Sequence, residues 1–214
     1  MERIEENNPL QNFFGIDISP YITIREFEPD EFIIHEGERP TYLYYLIEGR
    51  AKLFLSQENG KISLINFVEA PCFIGEMELL DEKRLAQGVK AISLCRCYQI
   101  QISECRNLIL QDTKFLRYLC TFLSEKATQN TNNYMRNQSY SLKVRLAEFI
   151  LKMSVNGYYR EPHTEVAEFL GVTYRHFLYV LAQFVKDGIL EKTKHGYFVP
   201  DEERLIQLME TITD

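Results

Sequence analysis

Four side chains at the start of one predicted helix could act on a partner: Tyr174, Arg175, His176 and Tyr179. They offer hydrogen-bond donors, stacking surface and reach, and a helix presenting them at its N-terminal end suits the major groove of DNA. The elements that must hold them are legible on either side. Glu161 to Phe184, EPHTEVAEFLGVTYRHFLYVLAQF, reads as a helix-turn-helix. Val166, Ala167 and Leu170 share one face of a short first helix, and Gly171 ends it, because glycine turns left-handed there without steric cost. Thr173 then caps a second helix whose apolar side is Phe177, Leu181, Phe184 and Val185. Gly188-Ile189-Leu190 closes that helix, and LEKTKHGYFVP is expected to form two short strands around a turn at Lys194-His195-Gly196. Two helices around a glycine also occur in all-α proteins that bind no DNA; the basic wing that follows favours a winged helix, with Lys194 placed along phosphates.

The chain has 214 residues, 45% of them hydrophobic, enough for two globular domains that each bury a core. It lacks an apolar run of about 18 residues, and MERIEENNPL has neither the basic start nor the apolar centre of a signal peptide. A cytoplasmic location and no membrane partner are therefore expected. The net charge of -7 is unevenly spread. Residues 1 to 140 carry 15 Lys+Arg against 20 Asp+Glu, a net of -5, whereas residues 141 to 199 carry 8 against 6, a net of +2. A weakly basic module on an acidic body can bind DNA when two copies in a dimer add their phosphate contacts. The five cysteines, Cys72, Cys95, Cys97, Cys105 and Cys120, contain no CxxC, so neither a secreted disulfide framework nor a zinc or other metal site is expected.

From Tyr21 to about Ile102 short β runs alternate with turn residues: ITIREFEP, EFIIHEG, YLYYLIEG, AKLFLSQ, KISLINFV, GVKAISL and CRCYQIQ. Asn59-Gly60 is the strongest hairpin signal in the chain. Strands at this spacing imply a barrel or sandwich, and no helix is expected before Ser103. Ser103 to Leu110 reads as a short helix and Asp112 to about Gln138 as a long one, with Phe115, Leu116, Leu119, Phe122 and Leu123 in its first half. Its polar second half is expected to pair in parallel with a twin, Asn130, Asn133 and Asn137 falling near the seam, where asparagine fixes register at a loss of stability. After Ser139-Tyr140-Ser141 a further amphipathic helix runs to Met153 and belongs with the winged helix; a capped surface helix starts at Asp201.

The order β-barrel, long helix, winged helix resembles the Crp/Fnr family of transcription regulators over nearly the whole chain. Gly37, Tyr42, Leu43, Leu46 and Gly49 resemble the family's glycine-strand-glycine signature, and Phe73-Ile74-Gly75-Glu76 resembles the start of its phosphate-binding cassette. PCFIGE, NQS before the hinge and HTEVAEFLGVTYRHFLYVLAQF together are most similar to YeiL-type members. The resemblance implies an α+β chain: an N-terminal cyclic-nucleotide-binding-like β-roll (jelly roll) effector domain over 1–110, a dimerisation helix over 111–138 whose residues 112–138 pair, and a winged helix-turn-helix over 139–214.

Departures from the family pattern carry specific expectations. Cyclic-nucleotide-binding members have a glycine two residues after the cassette glutamate, and further on an arginine beside a small residue that holds the cyclic phosphate. In GEMELLDEKRLAQGVKA, Glu78 takes the glycine position and Leu85 to Gln87 fall where the arginine belongs, with Arg84 out of step. A phosphate diester wants amides and a guanidinium, not an added carboxylate. Of the effector-pocket candidates Gly75, Glu76 and Glu78, the first two are read as kept for the turn, and no cyclic nucleotide cofactor is expected. Nor is an iron-sulfur cluster, which in the family draws on an N-terminal cysteine cluster. Where the family commonly shows Ser/Thr-Arg-Glu-Thr, this chain has Thr173-Tyr174-Arg175-His176, and Tyr179 replaces a base-contacting arginine. Arg175 suits guanine O6 and N7, so a different operator is expected.

The function that follows is a homodimeric, sequence-specific regulator of transcription that reads a near-palindromic DNA duplex and contacts RNA polymerase. Its signal is not a cyclic nucleotide: the cysteines are read first as buried free thiols, with a thiol switch among Cys72, Cys95, Cys97 and Cys120 as the sharper alternative, beside an unidentified small ligand. The competing reading is a ligand-sensing module that controls a protein partner through its C-terminal domain. Enzymatic activity is not expected, since His35, His163, His176 and His195 stand in no HExxH or GxSxG context.

Overall fold

The computed structural model describes residues 9–56 and 62–210. Contacts divide the chain into two units that meet between Thr128 and Gln129.

The first unit holds eight strands: β1 (Ile22–Phe27), β2 (Phe32–Ile34), β3 (Tyr42–Glu48), β4 (Arg50–Ser56), β5 (Ile62–Glu69), β6 (Cys72–Ile74), β7 (Gly88–Ala91) and β8 (Cys95–Gln101). They form two four-stranded antiparallel sheets, ordered β1-β8-β3-β6 and β2-β7-β4-β5. The central strands of the first sheet, β3 and β8, are buried on both faces, which explains why YLYYLIE of β3 reads as an unbroken apolar run instead of an alternation. Tyr44 and Leu46 point between the sheets with Phe27, Ile34, Val89, Cys95 and Cys97, whereas Leu43 and Tyr45 meet Tyr98, Ile100 and the helices on the outer face. The expected Asn59-Gly60 turn lies outside the described residues. The strands that it would join do pair, from Arg50 with Glu69 to Ser56 with Ile62.

Two elements here differ from the sequence reading. Cys72–Ile74 is a strand, paired with Tyr44–Leu46 of β3, and Glu76–Leu80 is a helix, α1, although no helix was expected before Ser103. Three strand residues and five helical ones are too short for periodicity to register. α1 forms because Gly75 turns the chain left-handed (φ 90) and Leu79 drops into the core.

Helix α2 (Ile102–Gln111) and the 27-residue α3 (Thr113–Ser139) follow. Asp112, buried between them, accepts from the amides of Lys114 at 3.0 Å and Phe115 at 3.4 Å, and so caps the start of α3. The same carboxylate accepts from Gly15 N at 2.6 Å and Ile16 N at 3.4 Å, tying the N-terminal segment to the helix. Lys114 Nζ completes the clamp on the carbonyls of Phe14 and Gln11, and the Phe14 ring stacks on Phe115 at 4.3 Å. One stripe of α3, Phe115, Leu119 and Phe122, packs on the roll, flanked by Tyr118 and Leu123, which touch the same core. A second stripe, Leu116, Cys120, Leu123, Ala127, Asn130 and Tyr134, recurs at alternating four- and three-residue intervals. Its leucines are half-buried and its other members exposed. The side chains of Asn133 and Asn137 lie outside the described residues.

The second unit contains the rest of α3, then α4 (Leu142–Met153), β9 (Tyr158–Tyr159), α5 (His163–Phe169), α6 (Tyr174–Lys186), β10 (Glu191–Thr193), β11 (Gly196–Phe198) and α7 (Glu202–Glu210). The wing has three strands, ordered β10-β11-β9, where the sequence indicated two. β9 is only two residues long, but its Tyr159 is fully buried and pairs with Tyr197. Leu146, Phe149, Ile150, Val166, Phe177, Leu181, Phe184 and Leu205 are all buried in this unit.

Replacing Asp112 by alanine should remove a helix cap and strand the Gly15 amide, lowering stability by roughly 2 kcal/mol in urea unfolding. An unchanged midpoint would show that water replaces the carboxylate.

Candidate nucleic-acid interface and cassette

The two helices meet at a glycine: Gly171 sits at φ +63, in the left-handed region that favours glycine, immediately after the last turn of α5. Thr173 then caps α6 as expected, its hydroxyl accepting from His176 N at 3.3 Å. The threonine is thereby committed to the helix start, which fixes the directions of the residues that follow. Phe177, Val180, Leu181 and Phe184 form the buried face; Val180 takes the place that the sequence reading gave to Val185, which is only half-buried. Opposite them Tyr174 is 48% and Tyr179 63% exposed, with Arg175, His176 and Leu178 also exposed. These side chains share the outward face of α6 at its start.

The far end of α6 is held by three groups. Ile189 N donates to Phe184 O at 2.8 Å and Gly188 N to Val185 O at 3.1 Å, the two bonds of a glycine-closed helix end. Arg204 of α7 donates to the carbonyls of Gly188 and Asp187, both at 2.8 Å. Arg145 of α4 does the same for α5, bonding the Leu170 carbonyl while its Nε donates to Tyr140 O at 3.1 Å. Lys194 and His195 lie exposed at the tip of the wing, and Gly196 begins β11. His163 joins the wing to α6: its ring lies 5.4 Å from Phe177 and 5.8 Å from Tyr197. Burial, and secondarily the Lys192 charge, holds this imidazole below its ordinary pKa.

In the cassette, Glu76 at the start of α1 is 2% exposed. Its carboxylate meets Lys126 Nζ of α3 at 2.6 Å. A Cβ on Gly75 would stand 3.3 Å from the Tyr42 carbonyl, and the positive φ excludes most other residues, so the turn that presents Glu76 depends on this glycine. Glu78 is half-buried and lies 3.5 Å from Arg84 Nε. Burial, with the Glu76 charge in support, pushes the Glu78 carboxyl above the usual range, against the pull of Arg84. Arg84, out of step in the sequence, thus faces Glu78, the carboxylate expected at the family's glycine position.

The structure does not bring Cys72 to Cys97. Cys72 and Cys97 both pair with Leu46, from opposite sides of β3. Their Cα atoms are therefore two strand spacings apart, about 9 to 10 Å, beyond the roughly 7 Å a disulfide spans. Burial pushes Cys72 and Cys105 up to about 11 and Cys97 to about 12, and raises Cys95 as well. Cys120, on α3, is exposed. Among the described residues no three His, Cys, Asp or Glu side chains gather as a metal site, and no helix is long and apolar enough to cross a membrane.

Residues 24–112 match the cyclic nucleotide-binding domain and residues 144–208 the Crp-like helix-turn-helix domain. The chain is 45% identical over 196 residues to the regulatory protein YeiL of Escherichia coli O157:H7, covering 92% of this chain and 90% of that protein. The chain belongs to the Crp/Fnr family of transcription regulators. The cAMP-activated global transcriptional regulator CRP of Pasteurella multocida is a more distant relative, 29% identical over 61% of this chain and 63% of its own. The fold agrees with Crp/Fnr-family regulators from Eubacterium rectale and Thermus thermophilus. The first has TM-score 0.74 and 15% identity, covering 90% of this chain and 92% of that one. The second has TM-score 0.68 and 20% identity, covering 88% and 98%. The β-roll, long helix and C-terminal helix-turn-helix expected from sequence are thus those of a Crp/Fnr-type DNA-binding transcription regulator.

Three contributors escaped the sequence reading. Lys126 is 50 residues from Glu76, yet it continues the roll-facing stripe Phe115, Leu119, Phe122 at the next four-residue step, a signal that could have placed it. His163 and Arg145 act through contacts distant in sequence, to Tyr197 and Leu170, that no local pattern reveals. Because the His163 pKa is lowered in the folded state, its contribution is fully present above about pH 6.5 and is lost as pH falls through the folded value. Melting temperature should therefore drop less between about pH 7 and pH 5 in His163→Phe than in the parent; identical profiles would remove His163 from the account.

Proposed function

We propose that the chain acts as a homodimer that reads a near-palindromic operator with two copies of the α6 face, without a cyclic nucleotide. The observation that carries this reading is the joint exposure of Tyr174, Arg175, His176 and Tyr179 at the start of a helix whose opposite face is wholly buried. Arg175 reads guanine through its planar fork, Tyr174 and Tyr179 stack on sugar or methyl groups, and His176 donates to a base or phosphate. Lys194 at the wing tip neutralises backbone phosphate whatever the sequence. Thr173 serves chiefly as the cap that aims the others. The roll occupies 1–110, the pairing helix 111–138 and the DNA-reading domain 139–214; the regulator works in the cytoplasm, and its bound dimer presents its surface to RNA polymerase.

Pairing is supported by the second stripe of α3, whose alternating spacing matches the a and d positions of a parallel two-stranded coil. Apolar Leu116 and Leu123 give way to Asn130 and Tyr134 along it, so its upper part is the stronger. Cys120 falls on this seam, where its counterpart in the second copy would face it. It is the thiol that a mild oxidant reaches, whereas Cys72, Cys95 and Cys97 serve packing. Absence of cyclic nucleotide control is supported by Glu78, with its pairing to Arg84, and by the Lys126 ammonium already seated on Glu76.

Fluorescence anisotropy with an operator selected from random duplexes tests the reading. Arg175→Ala should lose roughly 1 to 3 kcal/mol of discrimination against a scrambled duplex, whereas Lys194→Ala should weaken both duplexes equally and flatten the salt dependence. Equal loss on both duplexes by Arg175→Ala would sink the base-reading role. Cyclic AMP or cyclic GMP in large excess should leave the affinity unchanged. Oxidative cross-linking should give a covalent dimer that Cys120→Ser abolishes; a dimer that persists in this variant would contradict the parallel register.

A further inference from the structure

We infer that Lys126 is a resident substitute for an effector: its ion pair with Glu76 latches the cassette onto α3 and keeps that helix set for DNA binding without a ligand. The inference deepens the proposed function and rests on it for its DNA arm.

Glu76 is 2% exposed, and a carboxylate taken so far out of water must find a cation or surrender its charge. The cation comes from α3 and not from the cassette's own loop. Lys126 Nζ stands 2.6 Å from Glu76 Oε1, and it also lies 5.7 Å from the Phe122 ring centroid, one turn earlier on the same stripe. The Cys72 thiol, next to the cassette, feels both members of the pair. The second cassette carboxylate, Glu78, is met by Arg84. Both acids are therefore neutralised by the chain itself, and the cation that meets Glu76 fastens α1 to α3.

The position of the latch gives it leverage. Phe115, Leu119, Phe122 and Lys126 descend one side of α3, and Lys126 is the last of them before the roll's unit ends at Thr128. The neighbouring stripe, Leu123 and Ala127 included, is the one assigned to the second copy. An ion pair at this height holds α3 in one rotational setting about its own axis. Breaking it leaves a buried unpaired charge, which the structure relieves by letting α1 and α3 part. The helix then turns more freely, the seam is presented less often and DNA affinity falls.

The test uses the full-length protein and three variants, Lys126→Gln, Glu76→Gln and Glu76→Gln/Lys126→Gln, with circular dichroism melting to establish folding. Lys126→Gln should weaken binding to the selected operator by at least about tenfold, equivalent to about 1.4 kcal/mol, and the double variant, which buries no lone charge, should recover most of it. A folded Lys126→Gln that binds like the parent would overturn the latch while leaving the DNA-reading function intact. A second readout needs no DNA: amide hydrogen exchange across residues 119–130 should accelerate in Lys126→Gln and return toward the parent rate in the double variant. Unchanged exchange would overturn the latch even for a protein that bound no operator. Failure of the parent itself to prefer the operator would refute the proposed function alone.

Discussion

Helix α3 must satisfy two demands with one sequence, and the arrangement of the first unit depends on how it does so. Phe115, Leu119 and Phe122 bury one stripe on the outer face of the β1-β8-β3-β6 sheet, so that its central strands are covered on both faces. Asp112 and Lys114 anchor the helix start by drawing in Gly15, Phe14 and Gln11. With that end fixed and a stripe packed, the second stripe of α3 is left largely at the outer side, with Leu123 still touching the core. The roll receives the aromatic residues, and the other stripe grades from leucine to asparagine and tyrosine.

Electrostatics decide what the cassette can accept. A pocket for a cyclic phosphate needs donors held ready, whereas here each carboxylate is already matched to a cation from the chain, Glu76 to Lys126 and Glu78 to Arg84. Lys126 and Arg84 are thereby engaged with the cassette's own acids. The same logic of internal matching recurs in the second unit. There the guanidinium groups of Arg145 and Arg204 satisfy carbonyls at helix ends, and the residues at the start of α6 stay unencumbered by them.

Much of this was legible in the sequence where the signal was periodic or chemical and local. The strands of the roll, α4 to Met153, the Gly171 turn, the Thr173 cap and the outward set on α6 all follow from spacing and from what glycine and threonine do to a backbone. Elements shorter than one period were not legible: α1, β6 and β9 owe their existence to tertiary burial of Leu79, Phe73 and Tyr159. Pairs distant in sequence were not legible either: the α3 stripe could place Lys126 toward the roll but not name Glu76 as its partner, and His163 with Tyr197 leaves no local trace. Arg84 shows the limit most clearly. Its sequence position argued only that it was misplaced for phosphate, while its partner, Glu78, is the residue that made phosphate unwelcome.

The central claim is that this chain discriminates DNA sequence with no small ligand present. The most direct measurement is the ratio of affinities of the dialysed, fully reduced protein for its selected operator and for a scrambled duplex, taken across a range of salt. The account predicts a ratio of at least about 10³ at physiological salt, with both affinities falling steeply as salt rises. A ratio near one would contradict it, as would discrimination that appears only when a small molecule is added.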